Sequence, residues 1–183
     1  IGESVVVFGA GGIGLNIIQA ATLVSASTII AVDRFDSRLE LARQLGANHC
    51  INSSQCVAEE RILQSLAGQP LDVFIDNTGV PGVIEMGYRL THTEGRLILV
   101  GVPQQGQNLN IYSLPLHFGK LLTGSQGGES HPQRDIPRYL RLLEQGRLHL
   151  DRLVSARYPL EQINVAISAM RNGNTAGRVM IDL

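Results

Sequence analysis

Short apolar, β-branched runs alternate with segments of helical periodicity along most of the chain, and this alternation limits the fold more than any other feature. Five such runs come first: Ser4–Phe8, Thr28–Asp33, His49–Asn52, Leu71–Asp76 and Arg96–Gly101. Each run is mostly apolar on both faces, as in strands of a parallel sheet that helices cover on both sides. A sixth strand is predicted over Leu121–Ser125 and a terminal strand over Arg178–Leu183.

Helical periodicity fills the intervals between these runs. The predicted helices cover residues 13–24, 37–45, 55–67, 80–93 and 135–145, and an apolar stripe from Tyr158 to Met170 predicts one more. Ser37 and Glu40 have the spacing of a capping box, which places the second helix start at Ser37. We therefore predict a doubly wound α/β Rossmann fold with strand order 3-2-1-4-5-6 and a ligand between the first and fourth strands.

Composition excludes several classes of function. The 15 Lys and Arg residues against 16 Asp and Glu leave a net charge of −1, without the positive excess that nucleic acids and anionic membranes select. Two cysteines, Cys50 and Cys56, are too few for a disulfide-rich scaffold or an all-thiolate zinc finger, and we expect both to be small buried residues.

The chain has no apolar run of membrane-spanning length and no signal-peptide pattern, so we expect a cytoplasmic protein. Because the first residue is Ile1 rather than Met, we also expect the sequence to be part of a longer protein.

A glycine-rich turn follows the first strand and opens the first helix. Its sequence, Gly9-Ala10-Gly11-Gly12-Ile13-Gly14, fits the G-x-G-x-x-G pattern of dinucleotide-binding turns. Gly9 would permit the tight turn, Gly11 would let a pyrophosphate approach the backbone, and Gly14 would let the helix pack closely on the sheet. Unpaired amides at the helix N-terminus would attract the phosphates.

Asp33 ends the second strand and predicts which dinucleotide is bound. Its carboxylate would accept hydrogen bonds from the adenosine ribose and repel a 2′-phosphate, which favours NAD over NADP. Arg34 would weaken that preference. Two alternatives remain: a glycine turn that serves only packing, and an S-adenosylmethionine methyltransferase, although such enzymes usually lack the third glycine.

Several segments together resemble one family, the zinc-containing alcohol dehydrogenases of the medium-chain dehydrogenase/reductase superfamily. The resemblance covers essentially the whole chain, and the segments are Val6–Gly14, Ala31–Asp33, Leu41–Ala47, Val100–Pro103 and Gly173–Leu183. It implies that residues 1–150 form an NAD-binding domain and that residues 151–183 return to an N-terminal catalytic domain outside this sequence.

The resemblance also implies the cofactor contacts. Asp33 and Arg38 would flank the adenosine ribose, Thr78 and Gly79 would lie near the adenine end, and Arg178 would pair with the pyrophosphate. Backbone groups would hold the nicotinamide carboxamide. The full implied set is Gly9, Gly11, Gly12, Ile13, Gly14, Asp33, Arg34, Arg38, Thr78, Gly79, Val100, Gly101, Val102, Ser125, Gly127 and Arg178.

The implied reaction is hydride transfer between a small alcohol or aldehyde and NAD, with zinc held in the catalytic domain. No catalytic residue or metal ligand is assigned within these 183 residues, so the chain alone is expected to be inactive. A homodimer through a sheet edge is expected, with Leu121–Ser125 and Asn110–Tyr112 as edge segments. The alternatives are a stand-alone dinucleotide-binding or sensing module and a zinc-free NADPH-dependent quinone or enoyl reductase domain.

Overall fold

The computed structural model describes residues 1–173 and 175–183, and its main sheet has six parallel strands in the order β3-β2-β1-β4-β5-β6. The strands are β1 (Ser4–Phe8), β2 (Thr28–Asp33), β3 (His49–Asn52), β4 (Leu71–Asp76), β5 (Thr91–Leu99) and β6 (Leu121–Gly124). The predicted Rossmann fold and strand order are confirmed. Asn174, within the predicted C-terminal segment, lies outside the described residues.

Helices cover both faces of the sheet. They are α1 (Gly12–Leu23), α2 (Asp36–Gln44), α3 (Ala58–Leu66), α4 (Pro81–Leu90), α5 (Pro132–Glu144) and α6 (Ile163–Arg171), and short 3-10 turns lie at Leu114–Phe118, Gly127–Glu129, Asp151–Leu153 and Leu160–Gln162. Val5 and Val7 of β1 pack in a core with α1 and α2, while Val6 and Phe8 pack in a second core with α3 and α4. Alternate residues of one strand thus serve two cores, which explains its continuous apolar sequence.

The fifth strand begins and ends earlier than predicted. The preceding helix ends at Leu90 because Thr91 adopts an extended conformation and its hydroxyl donates to the Gly87 and Tyr88 carbonyls, each at 3.1 Å. The strand ends at Leu99 because the amides of Val100 and Gly101 both turn to the Asp76 carbonyl.

The predicted capping box at Ser37 is wrong. The α2 helix begins at Asp36 with Phe35 as its N-cap, and no side chain caps it among the described residues. The amides of Arg34 and Phe35 donate to the Asp33 carboxylate at 2.8 and 3.1 Å, so the chain turns before Ser37. The side chain of Glu40 instead pairs with Arg43.

The C-terminal residues form a two-stranded parallel sheet of β7 (Val154–Pro159) and β8 (Arg178–Asp182), joined through α6. The sequence did not predict β7, and the predicted helical stripe becomes α-helical only at Ile163, after a 3-10 turn at Leu160–Gln162. The segment that leads into β7 is held to α1 by the buried Gln19 side chain, whose Oε1 accepts the His149 amide at 2.8 Å. In the described part of the chain, no helix is both long and apolar enough to cross a membrane.

Candidate functional site

A cleft of about 920 Å³ opens at the carboxyl ends of β1, β2, β4 and β5. It lies where the chain order reverses between β1 and β4, which is where doubly wound sheets bind ligands. The predicted cofactor residues that line it are Gly9, Gly11, Gly12, Ile13, Gly14, Asp33, Arg34, Arg38, Thr78, Val100, Gly101, Val102 and Arg178. Gly79, Ser125 and Gly127 are not among its lining residues.

The glycine-rich turn forms the floor of the cleft. Gly9 has a φ angle of +96°, a region that side chains disfavour, and a Cβ on Gly14 would collide with the Gly9 carbonyl oxygen. A Cβ on Gly11 would meet no atom within 4 Å. Gly9 and Gly14 therefore serve the packing of the turn, whereas Gly11 leaves open space above the start of α1.

Arg178, the first residue of β8, reaches back to the N-terminus of α1. Its guanidinium carbon would stand 2.7 Å from a Cβ on Gly12. Among the residues that the structure describes, no carboxylate lies within 4 Å of this guanidinium. The amides that begin α1 and the Arg178 guanidinium therefore present positive charge to the same part of the cleft.

The Asp33 carboxylate is held rigidly on the β2 side. Its Oδ2 accepts the Ala10 amide at 2.8 Å and lies 3.5 Å from Nη1 of Arg38, while its Oδ1 accepts the amides of Arg34 and Phe35. The Phe35 ring lies beneath the Arg38 guanidinium at 4.7 Å and near that of Arg34 at 5.7 Å. The acid is thus only 6% exposed, and the Arg38 guanidinium lies beside it at the cleft.

The β4 and β5 side of the cleft consists of two backbone turns in contact. Thr78 and Gly79 pack against Gly101 and Val102, so they lie with the residues expected at the nicotinamide and are separated from Asp33 by β1. The Ser125 amide donates to the Leu99 carbonyl at 2.8 Å, which places Ser125 just beyond the ends of β5 and β6.

Six cleft-lining residues were not found from the sequence: Phe8, Phe35, Ser53, Asn77, Val80 and Val83. Phe35 could have been suspected from its place two residues after Asp33. The Asn77 amide nitrogen donates to the Gly9 carbonyl at 3.2 Å, while its Oδ1 is buried without a hydrogen-bond partner among the described residues. No local pattern marks Ser53 or Asn77, because only the meeting of three strand ends places them in the cleft.

The cysteines lie outside the cleft, beside a second cavity of about 590 Å³ between α2 and the end of β3. The prediction that both are buried is wrong for Cys56, which is exposed in the turn after β3, where its thiol donates to the Asn52 carbonyl. Cys50 is half-buried, and burial raises the pKa of its thiol. The described residues contain no group of three or more His, Cys, Asp and Glu that could hold a metal ion.

Solved structures with this fold include close matches. The chain superposes with a TM-score of 0.86 and 39% identity on an alcohol dehydrogenase zinc-binding domain protein from Burkholderia ambifaria, over 95% of this chain and 47% of that one. The match to benzyl alcohol dehydrogenase from Acinetobacter calcoaceticus has a TM-score of 0.88 and 36% identity, over 99% and 50% of the two chains.

Sequence relatives point the same way. The chain is 32% identical to the NDMA-dependent alcohol dehydrogenase of Amycolatopsis methanolica, over 98% of this chain and 49% of that protein. It thus spans about half the length of the curated relatives that it matches. Residues 12–145 match the family model described as zinc-binding dehydrogenase, and this range runs from the start of α1 through β2–β6 to the end of α5. The fold, the glycine-rich turn and this match together place the chain in the zinc-binding dehydrogenase family.

Proposed function

We propose that this chain binds NAD and is the nucleotide-binding half of an oxidoreductase that transfers hydride between a small alcohol or aldehyde and the nicotinamide. One observation carries the proposal: a single cleft brings together the glycine-rich turn, the fixed carboxylate of Asp33 and the cation of Arg178. These groups match the pyrophosphate and ribose of a dinucleotide, and Arg178 comes from a part of the sequence far from the other two.

The residues present fit a pyrophosphate. The open space above Gly11 accepts a bulky anion close to the backbone, and the start of α1 has no side-chain cap that would compete for its amides among the described residues. Arg178 adds a guanidinium whose planar donors suit phosphate oxygens. We infer that these groups hold the diphosphate and set the position of both halves of the cofactor.

Asp33 and its neighbours are the residues from which we propose a preference between NAD and NADP. The Asp33 carboxylate lies at the ribose end of the glycine-rich turn, and its charge would oppose a 2′-phosphate. Arg38 is engaged with Asp33 and the Phe35 ring, which leaves Arg34 as the cation able to favour a phosphate. We therefore propose a preference for NAD that Arg34 reduces without reversing.

The nicotinamide, when bound, accepts or donates the hydride, and the turn at Val100, Gly101 and Val102 would orient it through backbone groups. We propose that the zinc ion and the residues that polarise the alcohol belong to the other half of a full-length enzyme. The isolated chain should then bind the cofactor without oxidising ethanol or reducing formaldehyde above background.

The C-terminal segment exposes an apolar surface that supports contact with a second domain. Leu160, Ile163, Val165 and Met170 expose apolar side chains on and before α6. We propose that residues 151–183 pack against the catalytic half, whereas a self-contained sensing module would have no use for this surface. The cytoplasmic location and the absence of nucleic-acid and membrane partners stay predictions from composition.

Assembly through the sheet edge is a further part of the proposal. The β6 strand ends the described sheet and exposes Leu121, whereas Asn110–Tyr112, the second predicted edge segment, is not a strand. An uncovered strand presents unpaired amides and carbonyls to an identical strand. We propose a homodimer in which β6 pairs with its counterpart.

Calorimetric titration of the purified chain with NADH, NADPH and S-adenosylmethionine tests the cofactor proposal. We expect NADH to bind most tightly and S-adenosylmethionine not to bind. The Arg34→Ala variant should weaken NADPH binding about tenfold, the scale of one charged hydrogen bond, and leave NADH binding nearly unchanged. Arg61→Ala, which removes an exposed arginine outside the cleft, is the control. Tighter binding of NADPH than of NADH would reject the preference, and binding of neither would reject the proposed function.

A further inference from the structure

We infer that Asp76 is a positioning residue that fixes the nicotinamide half of the cleft and leaves the adenosine half unaffected. The inference rests on the proposed function, because it assumes a dinucleotide in the cleft. Asp76 is the last residue of β4, is fully buried, and does not itself line the cleft.

The Asp76 carboxylate is used entirely to shape the turn that follows it. Its Oδ1 accepts the Thr78 amide at 2.9 Å and the Thr78 hydroxyl at 2.6 Å, and its Oδ2 accepts the Gly79 amide at 2.9 Å. No Lys, Arg or His within the described residues forms an ion pair with it. Burying a carboxylate without a cation is costly, so all three donors are needed.

The backbone of the same residue holds the neighbouring turn. Its carbonyl accepts the amide of Val100 at 2.8 Å and that of Gly101 at 2.9 Å. Side chain and main chain of Asp76 therefore fix two turns relative to one another, one after β4 and one after β5. Both turns lie on one side of the cleft.

The two turns are in direct backbone contact, which leaves little room for either to move alone. A Cβ on Gly79 would collide with the Val102 carbonyl, and a Cβ on Gly101 would stand 2.5 Å from the Thr78 amide nitrogen. A shift of the turn at Thr78 and Gly79 must therefore displace Gly101 and Val102 as well.

The strand order limits where such a shift is felt. Asp33 lies on β2, across β1 from β4, and its hydrogen bonds go to Ala10, Arg34 and Phe35. Among the described residues, no hydrogen bond joins these groups to Asp76, Thr78 or Gly79. The turn after β4 does reach the glycine-rich turn, because the Asn77 side chain donates to the Gly9 carbonyl at 3.2 Å. Loss of the Asp76 carboxylate should thus disturb binding of the nicotinamide more than it disturbs the adenosine and diphosphate contacts.

The Asp76→Asn variant tests whether Asp76 affects the nicotinamide half of the cleft and not the adenosine half. It keeps the shape of the side chain but replaces one acceptor oxygen by an NH₂ group, which then faces a backbone or hydroxyl donor. We expect its affinity for NADH to fall about tenfold, while its affinity for ADP-ribose, which lacks the nicotinamide, changes less than about threefold.

Ser4→Ala is the matched control. Ser4 is also buried and its hydroxyl takes part in three hydrogen bonds, with Pro70 and Asp72, but it lies at the opposite end of the β1 and β4 pair. It should lower stability without changing the ratio of the NADH and ADP-ribose affinities. An equal loss for both ligands in Asp76→Asn, or no loss for either, would overturn the inference. Failure of the unmodified chain to bind either ligand would instead reject the proposed function.

Amide hydrogen exchange of the unmodified chain tests the same inference without the Asp76→Asn variant, which could fail to fold. The amides of Thr78 and Gly79 should exchange slowly, because a buried carboxylate accepts both, and NADH should slow them further while ADP-ribose does not. Exchange at the rate of an exposed loop, or equal protection by both ligands, would contradict the positioning role.

Discussion

The guanidinium of Arg178 lies across Gly12, so that a methyl group added to Gly12 would overlap the arginine side chain. The first residue of the last strand thereby meets the first residue of the first helix. Because this contact puts a cation over the N-terminus of α1, it connects the C-terminal sheet directly to the proposed pyrophosphate site.

Replacing Arg178 by Leu should weaken binding of NADH and ADP-ribose by about ten- to hundredfold, the scale of losing hydrogen bonds to a charged group. Binding of adenosine, which has no phosphate, should not change. Calorimetric titration of the three ligands measures both effects. Arg157→Leu is the control, since Arg157 lies on the same small sheet but pairs with Asp182. An unchanged affinity of Arg178→Leu for ADP-ribose would remove Arg178 from the pyrophosphate site.

Two glycines of the turn should respond differently to the same substitution. Gly14→Ala places a methyl group against the Gly9 carbonyl and should lower the free energy of unfolding by about 1–3 kcal/mol, the usual cost of overpacking. Gly11→Ala meets no atom within 4 Å and should leave stability unchanged while it weakens NADH binding. Urea unfolding and NADH titration of both variants measure this contrast. Equal effects of the two substitutions on stability would contradict it.

Acid should destabilise the region around α5 through Asp135. The Arg134 guanidinium and the His131 amide, both hydrogen-bonded to the Asp135 carboxylate, lower its pKa from 3.8 to about 2. A carboxyl whose pKa is lower in the folded state stabilises the protein above pH 3.8, and this stabilisation is lost as the pH falls toward 2. Between pH 5 and 2, the unfolding midpoint in urea should therefore fall less in Asp135→Asn than in the unmodified chain. Parallel curves for the two proteins would exclude this role of Asp135.

The edge strand β6 should govern self-association. We expect the chain to sediment as a dimer at micromolar concentration and Leu121→Lys to shift it toward the monomer, because a charge on an edge strand disfavours strand pairing. Leu63→Lys, at an equally exposed position on α3, is the control. A dimer that persists in Leu121→Lys would indicate assembly through the exposed apolar residues of the C-terminal segment.

The two thiols should react at different rates. Cys56 is exposed, whereas burial raises the pKa of the half-buried Cys50 and lowers the fraction of its reactive thiolate. An aromatic disulfide reagent at pH 8 should label one thiol quickly and the other slowly, and Cys56→Ser should remove the fast phase. Loss of the slow phase in that variant would assign the rates the other way round.

Local sequence patterns were enough to predict much of the fold and part of the cleft. The bounds of β1, β2, β3 and β4 agree with the predicted runs. For β1, β2 and β4 the reason is that mostly apolar, β-branched sequence is typical of strands covered on both faces. The glycine-rich turn and Asp33 were also found from the sequence, since one strand-turn-helix-strand unit brings them together.

The remaining features depend on contacts between residues that are distant in sequence. The end of β5 at Leu99 follows from the Asp76 carbonyl, and the placement of Asn77 in the cleft follows from the carboxyl ends of neighbouring strands. Periodicity identifies which face of a segment is apolar, but it does not identify the partner of a hydrogen bond. The sequence by itself therefore determined the layers, the strand order and the glycine-rich turn. Tertiary packing alone decided that Arg178 covers Gly12 and that the Asp76 carbonyl and carboxylate hold two turns together.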